Sequence, residues 1–327
     1  IFTVHAFVAP VLRRLQGLGE RSAPRVRARL PRHVQSEAGR REFTLVSLVP
    51  GKEGLMAFPL GKGSGSVTTF ARADGFYDVP AAAEYVEAGE TVEVTLLGRA
   101  LEPADLVVVG SHCLGLDVVL ARIVDAGLEP KVLAVGSRGG LDAARQAACD
   151  VAPIHLYDRE LGRYNVPFVE DGLRLLEGYG RRQGLAYRPE LASRLGPDGE
   201  AEGADDALRG ACTAGDLRIA NRNPASGTRA LTDDLLAGTE ARPPGWATTY
   251  RSHHAIAAAI GQGRADFGVC LDAAARDHGL AWRPLKDERY DFLVPESRWE
   301  ARGTRAFRVA LADPDVRAAL RDRGFDA

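Results

Sequence analysis

The residues best suited to chemistry are hydroxyls, glycines and an arginine gathered where apolar runs end. In Arg218–Leu236 a short strand-like segment leads through Asn221 and Arg222 into Ser226-Gly227-Thr228-Arg229, where a helical pattern begins. The first turn of a helix presents backbone N–H groups without internal partners, and the helix dipole adds partial positive charge there. Hydroxyls and an arginine at that point make an anion cradle. The pattern recurs: Leu106–Gly110 runs into Ser111 and His112, and the strand-like segment from Lys131 runs into Gly136-Ser137-Arg138. Neutral hydroxyl donors suit a tetrahedral oxyanion, and arginine adds a two-pronged donor for a dianion. Taken singly, each Ser or Thr is equally an ordinary helix N-cap. The set, spread over two halves of the chain, points to a cleft for a small anion.

His155 and Asp158 follow a third strand signal, inside Ile154–Phe168. Two readings stand open: His155 lines the cleft with Tyr164 and Asn165, or it is a structural histidine beside an Asp-initiated turn. His253 and His254 follow Ser252 at a helix start, and successive helical positions point about 100° apart, so they do not share a metal ion. Ser252 as N-cap, with one histidine toward the cleft, is the simpler reading. There is no nucleophile elbow, H-E-x-x-H, kinase set or G-x-G-x-x-G. No base, nucleophile and orienter come together, and the residues alone describe a binding protein.

The elements that must hold these residues fall into three parts. Phe7, Val8, Val11, Leu12 and Leu15 share one face of an amphipathic helix over residues 1–17, with Gly17 as its stop. Residues 24–98 alternate at period two, in Val26–Leu30, Glu42–Leu48, Leu55–Pro59, Val67–Ala71 and Val92–Leu96, which predicts a small all-β, barrel-like domain. Within it, Gly61–Phe76 is glycine-rich but lacks the order of a phosphate loop, and reads as a bend between strands. Beyond Glu102-Pro103, strand and helix alternate: strand 106–110, helix 114–127, strand 131–135, helix 140–148, strand 151–156. After the polar stretch Arg194–Glu202 come strand 217–220, helices 228–238 and 253–262, strand 265–270, helix 272–279, strand 288–294 and two closing helices in 299–323. This predicts an α/β two-lobed clamp built on doubly wound parallel sheet, with the ligand between the lobes at the strand ends. Lobe 1 takes about 104–188 plus the tail, and lobe 2 about 200–285.

The formal net charge of −2 gives no basic field for nucleic acid. The basic residues are nearly all Arg, the lysines being Lys52, Lys62, Lys131 and Lys286, which reads as coding bias. Cys113, Cys149, Cys212 and Cys270 are far apart, form no C-x-x-C pair, and read as buried free thiols of a reducing compartment. No run approaches the ~20 apolar residues of a membrane span, and no signal segment is present, so a cytoplasmic protein is expected. The sequence opens on Ile1 rather than Met and reads as the C-terminal part of something longer.

Several of these segments, in this order and spacing, resemble a known domain. Gly110-Ser111-His112, Gly136-Ser137 with Gly139-Gly140-Leu141, His155-Leu156 with Asp158, Tyr164 to Phe168, Asn221-Arg222, Ser226 to Arg229 and Glu288 to Asp291 carry the likeness. They are similar to the periplasmic-binding-protein-like domain fused to molybdopterin biosynthesis proteins of the MoeA/gephyrin type, a domain also found on helix-turn-helix regulators. The likeness covers about residues 104–327. Val4–Gly17 resembles the helix that closes the molybdopterin-binding domain of MoeA-type molybdenumtransferases. Gly39–Phe43, Gly63–Phe76 and Ala88–Val94 resemble their C-terminal β-barrel domain, and no helix-turn-helix pattern is present. Residues 1–23 would then end one domain, 24–100 form the β domain and 104–327 the clamp. The family's usual aspartate after Gly-Ser-His is Cys113 here.

The resemblance implies a homodimeric parent that inserts molybdenum into adenylylated molybdopterin. Its catalytic domain, which holds molybdopterin and magnesium, would lie before Ile1, so this chain alone should lack that activity, carry no cofactor and self-associate more weakly. Its implied partners are molybdopterin pathway proteins and a small anion, with no nucleic acid and no membrane. Residues and resemblance together imply a cleft for molybdate or tungstate lined by Ser111, His112, Ser137, Arg138, His155, Tyr164, Asn221, Ser226, Gly227, Thr228 and Arg229, with no catalytic or metal-binding residues. The alternative is a regulatory sensor of a pterin phosphate, its ring stacked on Tyr164, Trp246, Tyr250 or Tyr290. A degenerate clamp serving only assembly is a third reading.

Overall fold

The computed structural model describes residues 2, 4–19, 23–61, 67–98, 100–101, 103–224 and 226–327. The glycine-rich residues 62–66 and the boundary residue Glu102 lie outside the described residues. In the first third, apolar residues recur at every second position, so each strand has one face to bury, and so small a sheet buries it by closing. The strands β1 (Arg25–Arg29), β2 (Glu42–Gly51), β3 (Gly54–Pro59), β4 (Gly75–Val79) and β5 (Thr91–Leu96) form a closed barrel in the order β1-β3-β2-β4-β5. Leu48, Ala57, Tyr77, Val79 and Val94 fill it. Gly75 has to be glycine, because a Cβ there would lie 2.5 Å from the Thr95 carbonyl oxygen.

One expected strand, Val67–Ala71, is instead a short helix. The place beside β2 belongs to β4, whose Tyr77 and Val79 bury deeply, so Val67–Ala71 only leads the chain there. Ahead of the barrel, Val4–Val8 and α1 (Ala9–Leu15) are helical as expected, but Phe7, Val8, Val11, Leu12 and Leu15 are all exposed.

From Leu106 the chain alternates β6 (Leu106–Gly110), α2 (Leu114–Asp125), β7 (Pro130–Ala134), α3 (Gly136–Arg145) and β8 (Ala152–Ile154). Then β9 (Leu173–Tyr187), 15 residues long, leaves this lobe for a second one. The second lobe holds α4 (Ala204–Ala214), β10 (Ile219–Arg222), α5 (Gly227–Leu235), α6 (His253–Gly261), β11 (Phe267–Leu271) and α7 (Asp272–Asp277). The chain returns along β12 (Ala281–Pro295), and α8 (Arg302–Ala312) and α9 (Pro314–Asp322) close the first lobe.

The sheets are mixed, not wholly parallel as expected. β6 pairs parallel with β7, and β10 with β11, but β9 and β12 run antiparallel to each other through both lobes. β8 joins β12 in lobe 1, and β11 joins β9 in lobe 2. Bulges between Leu176 and Tyr179 and between Gln183 and Gly184 let one pair of strands serve two sheets. Leu116, Ile123, Phe292 and Phe307 pack lobe 1, while Leu185, Leu208, Ile219 and Phe267 pack lobe 2. All four cysteines are free and buried, and no helix among the described residues is long and apolar enough to cross a membrane.

The barrel is joined to lobe 1 by a packed seam. Its Val49, Met56 and Phe58 share a core with Val107, Val109, Leu133, Leu141 and Leu293. Beside them the Lys131 ammonium on β7 donates to the Leu48 carbonyl (2.8 Å) and pairs with Asp74, whose carboxylate also accepts from the Leu48 amide (2.6 Å). Phe58→Ala is therefore expected to cost about 3–5 kcal/mol and to weaken barrel and lobe 1 together. Hydrogen exchange checks this: amides of β2 and β6 should lose protection in step, and a loss confined to the barrel would contradict a shared seam.

Candidate functional site

The cleft between the lobes is lined from lobe 1 by the start of α3. Gly136 takes a φ of +79°, a turn that favours glycine, and delivers Ser137 to the first helical turn. The Ser137 hydroxyl accepts from the His155 amide (3.1 Å) and lies 2.9 Å from His155 Nδ1. In the tautomer with Nδ1 unprotonated, the hydroxyl donates to Nδ1 and Nε2 is the N–H edge. That edge faces lobe 2: a Cβ on Gly227 would stand 3.7 Å from Nε2. The ring is held flat against Tyr290 (centroids 6.1 Å), itself stacked on Tyr179 (5.3 Å).

Lobe 2 supplies two helix starts. The Ser226 hydroxyl caps α5 by accepting from the Arg229 amide (3.1 Å), and Ser252 caps α6 by accepting from Ala255 (3.0 Å). Between them, β10 ends in Arg222, whose Nε and Nη1 are buried without a hydrogen-bond partner, as is Nδ1 of His253. On the strands common to both lobes, Arg181 Nε donates to Glu288 (2.8 Å) and Gln183 Nε2 donates to the other Glu288 oxygen (2.5 Å). Glu288 is thus committed, and it does not neutralise Arg222.

Electrostatics tie these groups together. Burial, then Arg181, pushes Arg222 down to about 10. Burial, then Arg181 and Arg222, lowers the His155 imidazole well below its usual range. His253 is lowered by burial first, then by Arg222, Arg181, His155 and His254. Arg181 is also opposed by burial, yet Glu288 raises it overall. The rim is bridged as well, since Arg159 of lobe 1 donates from Nη2 to both oxygens of Asp234 on α5 (2.8 Å each). Among the described residues no group of His, Cys, Asp or Glu could hold a metal ion.

Of the residues expected from sequence, Ser137 and His155 approach Gly227 across the cleft, with Ser226 beside it as the cap of α5 and Thr228 buried in its first turn. Tyr164 lies against Tyr157 with the rings tilted (4.8 Å, 47°), and burial and then Glu288 raise its hydroxyl. Asn221 is buried and works on the backbone, accepting from the Arg222 amide (2.9 Å) and donating to the Trp246 carbonyl (3.4 Å). The Arg229 guanidinium bonds Asp233 (2.8 Å) and lies over Trp246 (4.5 Å). Ser111 is buried, and its carbonyl accepts from the Tyr290 hydroxyl (2.7 Å). His112 is exposed on Asp117 (2.8 Å), and Arg138 is exposed. Three residues outside the named set also lie here, and His253 belongs to the pair from which one histidine is expected toward the cleft. Arg222 sits in the quoted Asn221-Arg222 pair, and His253 directly follows a recognised N-cap, so both left a signal. Arg181 lies in a strand that the sequence pattern did not reveal.

Comparisons with known proteins match both parts of the chain. The PBP superfamily domain matches residues 121–312, and the MoeA C-terminal region (domain IV) matches residues 27–97. The uncharacterized protein YvgK of Bacillus subtilis (strain 168) is 30% identical over 220 residues, 65% of this chain and 68% of that protein. Among solved structures, an ABC-type phosphate transport receptor from Vibrio cholerae is similar at 13% identity and a TM-score of 0.47, covering 68% of this chain and 99% of its own. The molybdopterin biosynthesis MoeA protein from Pyrococcus horikosii is 42% identical over 29% of this chain and 22% of its own, at a TM-score of 0.24.

Both cleft histidines hold fewer protons folded than unfolded, so stability rises with pH from their lowered folded values up to the unfolded value of about 6.5. The melting temperature without added anion should therefore fall as pH drops below about 6.5. The double variant His155→Gln, His253→Gln should flatten that fall, and an unchanged slope would contradict the burial of both rings.

Proposed function

The chain belongs to the PBP superfamily, with a MoeA C-terminal region ahead of its clamp, and from that premise we propose that the cleft captures a small tetrahedral oxyanion, molybdate or tungstate, in the service of molybdenum cofactor biosynthesis. The observation that carries this reading is Arg222, buried at Nε and Nη1 without a partner. Buried guanidinium donors without partners are unfavourable, and each donates strongly to an anionic oxygen. The amides that open α5 and α6, the Ser137 hydroxyl and His155 Nε2 add donors from both lobes. An anion between them would draw the lobes together and exclude water.

A pterin ring would need a free aromatic face. Tyr290 is enclosed by Tyr179 and His155, and the Arg229 and Arg242 guanidinium groups both lie over Trp246 (4.5 and 4.7 Å). Tyr164 lies tilted against Tyr157, and Tyr250 packs against the core containing Ala220 and Ile256. With all four platforms engaged, the single ion is favoured over the ring.

The test is a titration with molybdate, tungstate, sulfate and phosphate followed by melting temperature, where anion at about 100 times its Kd adds about 2.7 kcal/mol. Arg222→Gln removes an unpaired buried cation, so the ligand-free variant should melt higher than the parent chain. The same change should weaken anion binding by about tenfold to a hundredfold. A variant that melts lower and still binds would overturn the role given to Arg222. No response to any of the anions would bring forward the pterin-phosphate sensor or a purely structural clamp.

A further inference from the structure

The cleft's charge does not balance a dianion. From lobe 1, His155 faces it with Ser137 and Tyr164. From the shared strands come Arg181, Glu288 and Tyr290, with Glu288 held by Arg181 and Gln183. From lobe 2 come Arg222 and His253, the latter followed by His254, which lies 3.9 Å from Asp277. Arg181 and Glu288 cancel, and Lys286 lies over the Tyr157 ring (3.8 Å) without bearing on Arg222, His155 or His253. Beside the two imidazoles, Arg222 is thus the full charge left over among the described residues. A dianion would therefore bring one negative charge more than the site neutralises, in surroundings where that excess is unfavourable. The groups placed to supply the difference are the two imidazoles.

We propose that a doubly charged oxyanion enters this cleft together with protons from solvent, taken up by His155 and His253, which become charged donors to the bound anion. This rests on the reading of the cleft as an oxyanion site and specifies how that site is regulated. At His155 the proton adds to Nδ1, the nitrogen that accepts from Ser137 in the neutral ring. The hydrogen bond then reverses: Nδ1–H donates to the Ser137 oxygen, and the Ser137 hydroxyl proton turns away to serve as a further donor. At His253 the atom concerned is Nδ1, buried and unpartnered. Burial and the neighbouring guanidinium groups keep both rings neutral until an anion reverses the local field. Affinity accordingly rises as pH falls, about tenfold per pH unit for each proton taken up, between the bound and free values of each ring.

The experiment is calorimetry of the whole chain with sulfate and with molybdate, at about pH 7.5 in PIPES, HEPES and Tris, whose ionisation enthalpies differ. Neither anion carries a titratable proton there, so uptake belongs to the protein. About one to two protons per anion are expected, and His155→Gln and His253→Gln should each remove up to one. Binding whose heat is independent of buffer would overturn proton uptake while leaving oxyanion capture standing. No heat with either anion, and no melting shift, would overturn both.

Discussion

Arg181 and Glu288 face one another in register across β9 and β12, the strands that both lobes share. Both side chains are almost wholly buried, and withdrawing two charges from water offsets most of their attraction, so the pair is poorly explained as a stabilising contact. What it fixes is charge. Glu288 commits one oxygen to Arg181 and the other to Gln183, which cancels one guanidinium and leaves that of Arg222 uncancelled. Without the carboxylate two bare arginines would meet at the hinge, and a carboxylate within reach of Arg222 would quench the site. The register is pinned by close backbone approach at the bulges. A Cβ on Gly178 would lie 2.1 Å from the Tyr290 carbonyl oxygen, and one on Gly184 would lie 2.2 Å from that of Arg283.

The barrel belongs to the same frame as one half of the cleft. Lys131 and Leu133 lie on β7, and β7 ends where Gly136 turns the chain into Ser137. The strand that carries the seam thus also carries the first anion turn, and Ser137 in turn holds His155. Anything docked on the barrel has a fixed geometry relative to that half of the site. Lobe 2 has its own cores on either side of its sheet and joins the frame chiefly through β9 and β12.

Local chemistry made the helix starts legible. An N-cap is decided by a few neighbouring residues, so Ser226, Ser252 and the Gly136-Ser137 turn could be read directly. The five-residue periodic segments of the barrel could be read for the same reason, and Val67–Ala71 shows the limit, since short alternation does not by itself secure a place in a sheet. The long strand β9 was hidden because Arg181, Arg182 and Gln183 interrupt the apolar pattern and the bulges shift which face is buried, whereas the 288–294 part of β12 was legible. Arg229 was chosen for its place at a helix start, although Asp233 four residues on is the partner that helical spacing offers, and it takes that guanidinium. Arg222 needed the fold itself, because only there does it become clear that nothing answers its charge.

Those unanswered charges also govern closure. Bringing lobe 2 onto lobe 1 gathers the uncancelled Arg222 charge and two positive helix ends away from water, where they repel, beside the neutral rings of His155 and His253. The bridge across the rim, Arg159 to Asp234, has both side chains more than half exposed (69% and 51%), so it is worth little against that repulsion. At the His155–Gly227 approach even a Cβ on Gly227 would be at ordinary packing distance from the ring (3.7 Å), so the lobes lie close there. A dianion captured as proposed would turn Arg222 and the helix ends from mutually repelling groups into donors, so the charges that oppose a closed clamp without an anion would favour it with one.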